Sequence, residues 1–231
     1  MWSLLKKELK IHIASPVAAV TFALFLFLTG FAFTAHMTEP SPQNLPEASM
    51  RGMTYFMAVI FVFLTPLLTM RGFAEERKIG TIELLKTSPL SDRAIVFGKY
   101  FSVWILYAAL LFLTLEYPIF ILLSGEPDPG PLTLSYLGLL LMGGAFLAAG
   151  IFCSVVTQSQ VIAAVFSFVL LLTLWFLGEV GGVLGEKISV SSHLESFSIG
   201  VLDLGDISYY LLFTFLFLFL TVRYLRAEKW R

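Results

Sequence analysis

Six long apolar runs constrain this chain more than anything else in it. Residues 16–37, 52–70, 97–123, 132–156, 161–177 and 207–224 carry few charges. An α-helix rises about 1.5 Å per residue and a bilayer's hydrocarbon is about 30 Å thick. Runs of this length therefore read as membrane spans. Across 231 residues only 13% are charged, against roughly 25% in soluble domains, and the mean hydropathy is +0.86. A soluble enzyme or a nucleic-acid-binding domain is excluded, and the expected fold is an all-α membrane protein with six transmembrane helices. The fifth run has the least distinct end, because Gly178, Gly181, Gly182 and Gly185 follow it. The first run is too long for a signal-peptide core and has no small-residue cleavage pattern, so it reads as a retained anchor.

Lysine and arginine resist translocation and mark the cytoplasmic side. Lys6, Lys7 and Lys10 precede the first run. Arg71, Arg77, Lys78, Lys86, Arg93 and Lys99 lie between the second and third, and Arg223, Arg226, Lys229 and Arg231 follow the sixth. In a six-span arrangement all of these share one side, leaving Arg51 and Lys187 opposite. Both termini are expected in the cytoplasm. The whole chain, 1–231, reads as a single transmembrane domain. Within it, 1–15 is an amphipathic interfacial helix with Trp2, Leu5, Leu9 and Ile13 at helical spacing. Pro16 turns that helix into the first span. Residues 38–51 read as a loop, and 179–206 as an extracytoplasmic re-entrant region of short helices.

The polar island at 71–97 interrupts the oil. Its first part, through Ile79, extends the second span, and Gly80 ends or bends that extension. Residues 81–86 form a short helix presenting Ile82, Leu84 and Leu85 and exposing Glu83 and Lys86. Pro89 stops it, because a proline disfavours helical geometry in the residue before it. Ser91 and Asp92 then cap the next helix. The result is a helical pin between two spans.

These residues resemble a known family. Glu75-Glu76, Gly80-Thr-Ile-Glu-Leu-Leu-Lys-Thr-Ser-Pro89 and Gly98-Lys99 are similar to the signature of the ABC-2 type permeases, the membrane subunits of ATP-binding cassette transporters. Lys6-Lys-Glu-Leu-Lys10 with Ser15-Pro16, and His193-Leu-Glu-Ser-Phe-Ser-Ile-Gly-Val-Leu-Asp203 with Tyr209, resemble the branch that includes the gliding-motility-associated permeases. The resemblance implies a coupling helix that docks on a separate ABC ATPase, present in two copies. It also implies a second permease half, as homodimer or heterodimer, and a substrate path between the halves lined by spans two and five. An exporter or flippase in a prokaryotic inner membrane is the implied activity.

The implied ATPase-coupling residues are Glu75, Glu76, Gly80, Thr81, Ile82, Glu83, Leu84, Leu85, Lys86 and Pro89. Ile82, Leu84 and Leu85 would be groove anchors, with Glu75, Glu76, Arg77, Glu83 and Lys86 at the rim. No cofactor is expected on this chain; ATP and Mg2+ belong to the partner. A phosphate-cradling loop needs G-x-x-x-x-G-K-[ST], whereas Tyr100 follows Gly98-Lys99 and position 93 is arginine. No nucleic-acid partner is expected, and the lipid bilayer is the surrounding partner.

Glu116 is the one carboxylate deep in an apolar run and is a candidate outer gate. His36 and His193 show no metal-ligand spacing, and the lone Cys153 forms no intrachain disulfide. The small residues of the fourth run, from Gly138 to Gly150, suit internal packing or a dimer seam. Two other readings stand beside the permease. One is a non-transporting anchor or mechanotransmitting subunit of an ATPase-driven machine. The other is an intramembrane hydrolase using Glu75-Glu76, which would require arginine where Gly80 stands.

Overall fold

The computed structural model describes residues 2–38, 46–83, 90–124 and 128–228, which form α-helices and no strand. The helices are α1 (Trp2–Ile13), α2 (Pro16–Thr38), α3 (Pro46–Thr69), α4 (Ala74–Ile79), α5 (Asp92–Leu113), α6 (Glu116–Ser124), α7 (Pro129–Val156), α8 (Gln160–Val180), α9 (Gly182–Ile188), α10 (Val190–Ser198) and α11 (Leu204–Glu228). Six stretches are long and apolar enough to cross a membrane: Pro16–Ala35, Arg51–Ile79, Asp92–Leu123, Pro129–Val156, Gln160–Val180 and Leu204–Glu228. The chain is a multi-pass membrane protein.

Small residues put α7 at the centre. In its apolar window 78% of residues are buried, against 22% for α8. A side chain on Gly143 would come 2.0 Å from the Tyr107 ring, one on Gly150 would come 2.2 Å from Thr69 Oγ1, and one on Gly138 would come 2.8 Å from Phe197. Side chains of α5, α3 and α10 thus occupy the space that a Cβ on α7 would need. Of the two roles expected for this stripe, these three glycines serve internal packing. Tyr107 donates a hydrogen bond to the Leu139 carbonyl and stacks edge-on to Phe61 at 4.5 Å, so the same ring also reaches α3.

Two expected spans are broken, each for a local reason. The third divides at Thr114, because Pro118 has no N–H to give the Thr114 carbonyl four residues earlier. That carbonyl accepts from Tyr117 N at 3.1 Å and from the Tyr136 hydroxyl of α7 at 2.6 Å. The extension of the second span is likewise not continuous: residues 70–73 form a turn between α3 and α4. One α7 hydroxyl satisfies the turn, Ser154 Oγ accepting from Phe73 N at 2.9 Å and Ala74 N at 3.1 Å and donating to Met70 O at 3.2 Å.

The second span also starts earlier than its apolar run. Helix α3 begins at Pro46, inside the segment expected as loop, because proline fits a first helical turn where no N–H is needed. Helix α7 begins earlier too, with Asp128 as its cap accepting from Gly130 N at 2.9 Å. Helices α9 and α10 fill the region after the fifth span, and Gly182, where α9 follows α8, has φ of +57°.

Candidate functional site

At the end of the bundle where α1, α4, α5 and α11 meet, the polar island is held by ion pairs. Lys99 of α5 is the hub. Its side chain is 2% exposed overall, and its Nζ lies 3.2 Å from Glu8 Oε1 of α1 and 2.9 Å from Glu76 Oε1 of α4. The Phe73 ring lies 5.2 Å below the ammonium. Gly98 makes the approach possible, since a Cβ there would meet Leu4 of α1 at 3.1 Å. Gly98 and Lys99 therefore act as a packing notch and a buried cation.

Around this hub α4 is clamped from other sides. Arg77 makes a two-pronged pair with Glu228 of α11, at 2.7 and 2.6 Å, with its own side chain 6% exposed. Arg226 returns from α11 to Asp92 at the start of α5, at 3.6 Å. Arg71 donates from Nη1 to Ser15 Oγ at 2.9 Å, fixing the end of the second span to the α1–α2 junction. Charges withdrawn from water cost several kcal/mol each unless paired, so these pairs define which surfaces of α4 face inward.

Helix α4 ends on Gly80 in the left-handed region, φ +79°, its N–H returning to Arg77 O. Glycine reaches that geometry without the penalty a Cβ brings. Thr81 and Glu83 are exposed, Ile82 and Glu83 are helical, and the described residues stop there. Leu84, Leu85, Lys86 and Pro89 lie outside the described residues.

The arrangement redistributes the residues expected at the pin. Glu75 remains partly exposed, 4.0 Å from Arg71 Nε. Within this chain Glu76 pairs with Lys99 and Arg77 with Glu228. Ile82 is 7% exposed and joins the chain's own core. Glu116 lies in the first turn of α6, exposed beside the break, and its neighbour Tyr117 carries the buried contact, hydroxyl to Thr29 Oγ1 at 3.1 Å.

On α1 the expected apolar face is displaced. Leu4, Leu5 and Glu8 turn into the bundle, while Trp2 and Ile13 are 66% and 62% exposed. Sequence reasoning missed Glu8 because a lone acid among Lys6, Lys7 and Lys10 reads as a solvated charge. The usable signal was its place four residues after Leu4, on the same helical face.

At the opposite end of α11, His193 Nδ1 lies 2.6 Å from Asp206 Oδ1, its ring stacks on Tyr209 at 3.9 Å, and Tyr210 donates to Val190 O at 2.9 Å. The run from His193 to Asp203 and Tyr209 therefore ties α10 to α11. The side chain of His36 lies outside the described residues.

The family pattern described as "ABC-2 family transporter protein" matches residues 33–189, well over half of the chain. The chain belongs to the ABC-2 transporter family. It is thus a membrane permease component of an ABC transporter, a transport subunit that is not catalytic alone, in a family that works with an ABC ATPase. No curated protein matches it significantly. The matched stretch contains the turn at 70–73, α4, the pin and the Lys99 hub.

Proposed function

We propose that this ABC-2 permease is one half of an exporter or flippase, with both termini in the cytoplasm and a separate ATPase docking on residues 80–89. Two ATPase copies, carrying ATP and Mg2+, would close on nucleotide and push the pins of two permease halves. The second half is identical or similar to this chain. The branch that includes the gliding-motility-associated permeases is the nearest relation that the N-terminal and outer motifs support.

One observation carries this reading: α4, from which the pin leaves, is bound by ion pairs to α5 and α11, and through Lys99 of α5 to α1. A displacement at Gly80 would therefore reach three helices together, where a loop on flexible tethers would absorb it. Helix α8 supports a two-half assembly. Its exposed Val161, Ile162, Val165, Phe166, Val169 and Phe176 recur at helical spacing and form a stripe that a second half would cover. Export is favoured because permeases of this resemblance without a soluble binding protein commonly move cargo outward.

The test is co-purification of the chain with the ATPase encoded beside it, comparing ATP turnover for the native pin and for the double variant Leu84→Asp with Glu83→Ala. The proposal expects a stable complex and loss of stimulated turnover in the variant. Absence of a complex, or turnover unchanged by the variant, would overturn it.

A further inference from the structure

A cleft of ≈ 490 Å³ opens between α1, the start of α2 and the end of α3 with α4. Its floor is the Lys99 hub, since Glu8, Glu76 and Lys99 all line it. It lies where α1 gives way to Pro16 and where the second span ends, the level of a bilayer's headgroups if those helices cross it. Its lining is apolar at Ile11, Val17, Leu67 and Ile79, of which Ile11 and Ile79 are 52% and 66% exposed. Lys7, Arg71 and Glu75 add charge to the same lining.

The charges of this lining select among occupants. Lys99 is consumed by Glu8 and Glu76, which leaves Lys7 and Arg71 beside Glu75 as accessible charges of both signs. Arg71 and Glu75 do not satisfy each other: Nε and Oε2 are 4.0 Å apart, the outer limit of a salt bridge, and Arg71 Nε has no hydrogen-bond partner among the described residues. The other end of the guanidinium is held by Ser15 Oγ, so its position is fixed without a ligand. His12 Nδ1 donates to the Glu8 carbonyl at 2.9 Å, and its Nε2 has no partner among the described residues.

We propose that this cleft binds the headgroup of a zwitterionic phospholipid bearing a primary amine. The phosphate would sit against Arg71 and Lys7, the ammonium against Glu75, and the acyl chains along Ile11, Val17 and Leu67. An anionic headgroup answers Arg71 but sets unbalanced negative charge beside Glu75. A choline headgroup has no N–H to give Glu75. The apolar lining argues for a lipid over a soluble phosphate ester of the same chemistry. Placement in the cytoplasmic leaflet rests on the orientation proposed above; the binding itself does not. Because α1 and α4 both line the cleft, the bound headgroup would tie the interfacial helix to the helix that leads into the pin.

Native mass spectrometry of the purified chain in detergent, without ATPase, tests this. The probes are phosphatidylethanolamine, phosphatidylcholine and phosphatidylglycerol of matched acyl chains, with glycerophosphoethanolamine as the soluble control. The ethanolamine lipid should be retained about tenfold better than the other two, the ratio expected from one charge-assisted hydrogen bond. Arg71→Gln should lower retention of all three lipids, and Glu75→Gln should abolish the preference for the ethanolamine lipid.

Lys7→Gln, at an exposed position, should weaken retention without a risk to folding, so a folding failure of Arg71→Gln leaves the test intact. Stronger retention of phosphatidylglycerol by the unaltered chain would overturn the proposal. So would wild-type retention in Lys7→Gln and Glu75→Gln, or binding of the soluble control as tight as the lipid. Failure of the chain to hold an ATPase would bear on the coupling proposal alone.

Discussion

Lys99 is 2% exposed, and its charge is tolerated because Glu8 and Glu76 converge on it. Removing the cation leaves two carboxylates uncompensated in an apolar setting. Lys99→Met should therefore lower stability by about 3–5 kcal/mol, measured as a fall in the melting temperature of the detergent-solubilised chain. Adding Glu8→Gln and Glu76→Gln to Lys99→Met should recover most of that loss, since the cost comes from unpaired charge rather than lost packing. If Lys99→Met melts like the native chain, the buried cluster is not formed. The glycines of α7 make a steric prediction of the opposite kind. Gly143→Val would drive methyl groups into the Tyr107 ring, 2.0 Å from a single Cβ, so overpacking should cost at least about 1–3 kcal/mol. Tyr107→Ala in the same chain should relieve part of that cost, and additive losses would contradict the contact.

Helix α4 is six residues long, too short to hold itself in shape, so its stability is borrowed from Arg77, Glu76 and the Ser154 hydroxyl. Glu228→Gln should loosen it at the Arg77 end, raising hydrogen exchange of the amides of 75–80 while leaving α7 unchanged; equal protection would show that the pair holds nothing. Gly80 separates backbone effects from packing effects. Among the described residues no atom lies within 4 Å of a Cβ placed there, yet φ is +79°. Gly80→Ala should cost about 1 kcal/mol by conformation alone, and Gly80→Asn should cost less, because asparagine tolerates the left-handed region. Equal melting temperatures for glycine and alanine would mean that the helix does not end in this way. The spans were legible because charge cannot be carried through thirty ångströms of hydrocarbon. The breaks within them were not, although both had a written cause. Pro118 announces a missing donor, but only the fold reveals that Tyr136 takes its place. Ser154 looks like an ordinary serine until three backbone groups of residues 70–74 meet it.

Across the whole molecule, burial falls unevenly, with α7 enclosed and α8 largely uncovered. That asymmetry suits a permease half, whose outer helices face lipid or another half. The polar island was recognisable from its Gly-Thr-Ile-Glu-Leu-Leu pattern, yet the intrachain pairing of Glu76 with Lys99 was not, because a charge bound for a partner and a charge bound for Lys99 look the same in a sequence. The proposed topology places residues 41 and 186 on one side of the membrane and 83 on the other. A membrane-impermeant maleimide applied to intact cells should label Ser41→Cys and Glu186→Cys but not Glu83→Cys, and the reverse pattern would invert the orientation. The central claim is that the segment after Gly80 receives the ATPase while α4 transmits its push. Hydrogen exchange of the chain with and without the ATPase tests this most directly. Strong new protection across residues 80–89, with smaller changes spreading through 74–79 to the Lys99 region, is the predicted result. No protection at 80–89, or protection confined to residues 182–198, would contradict it.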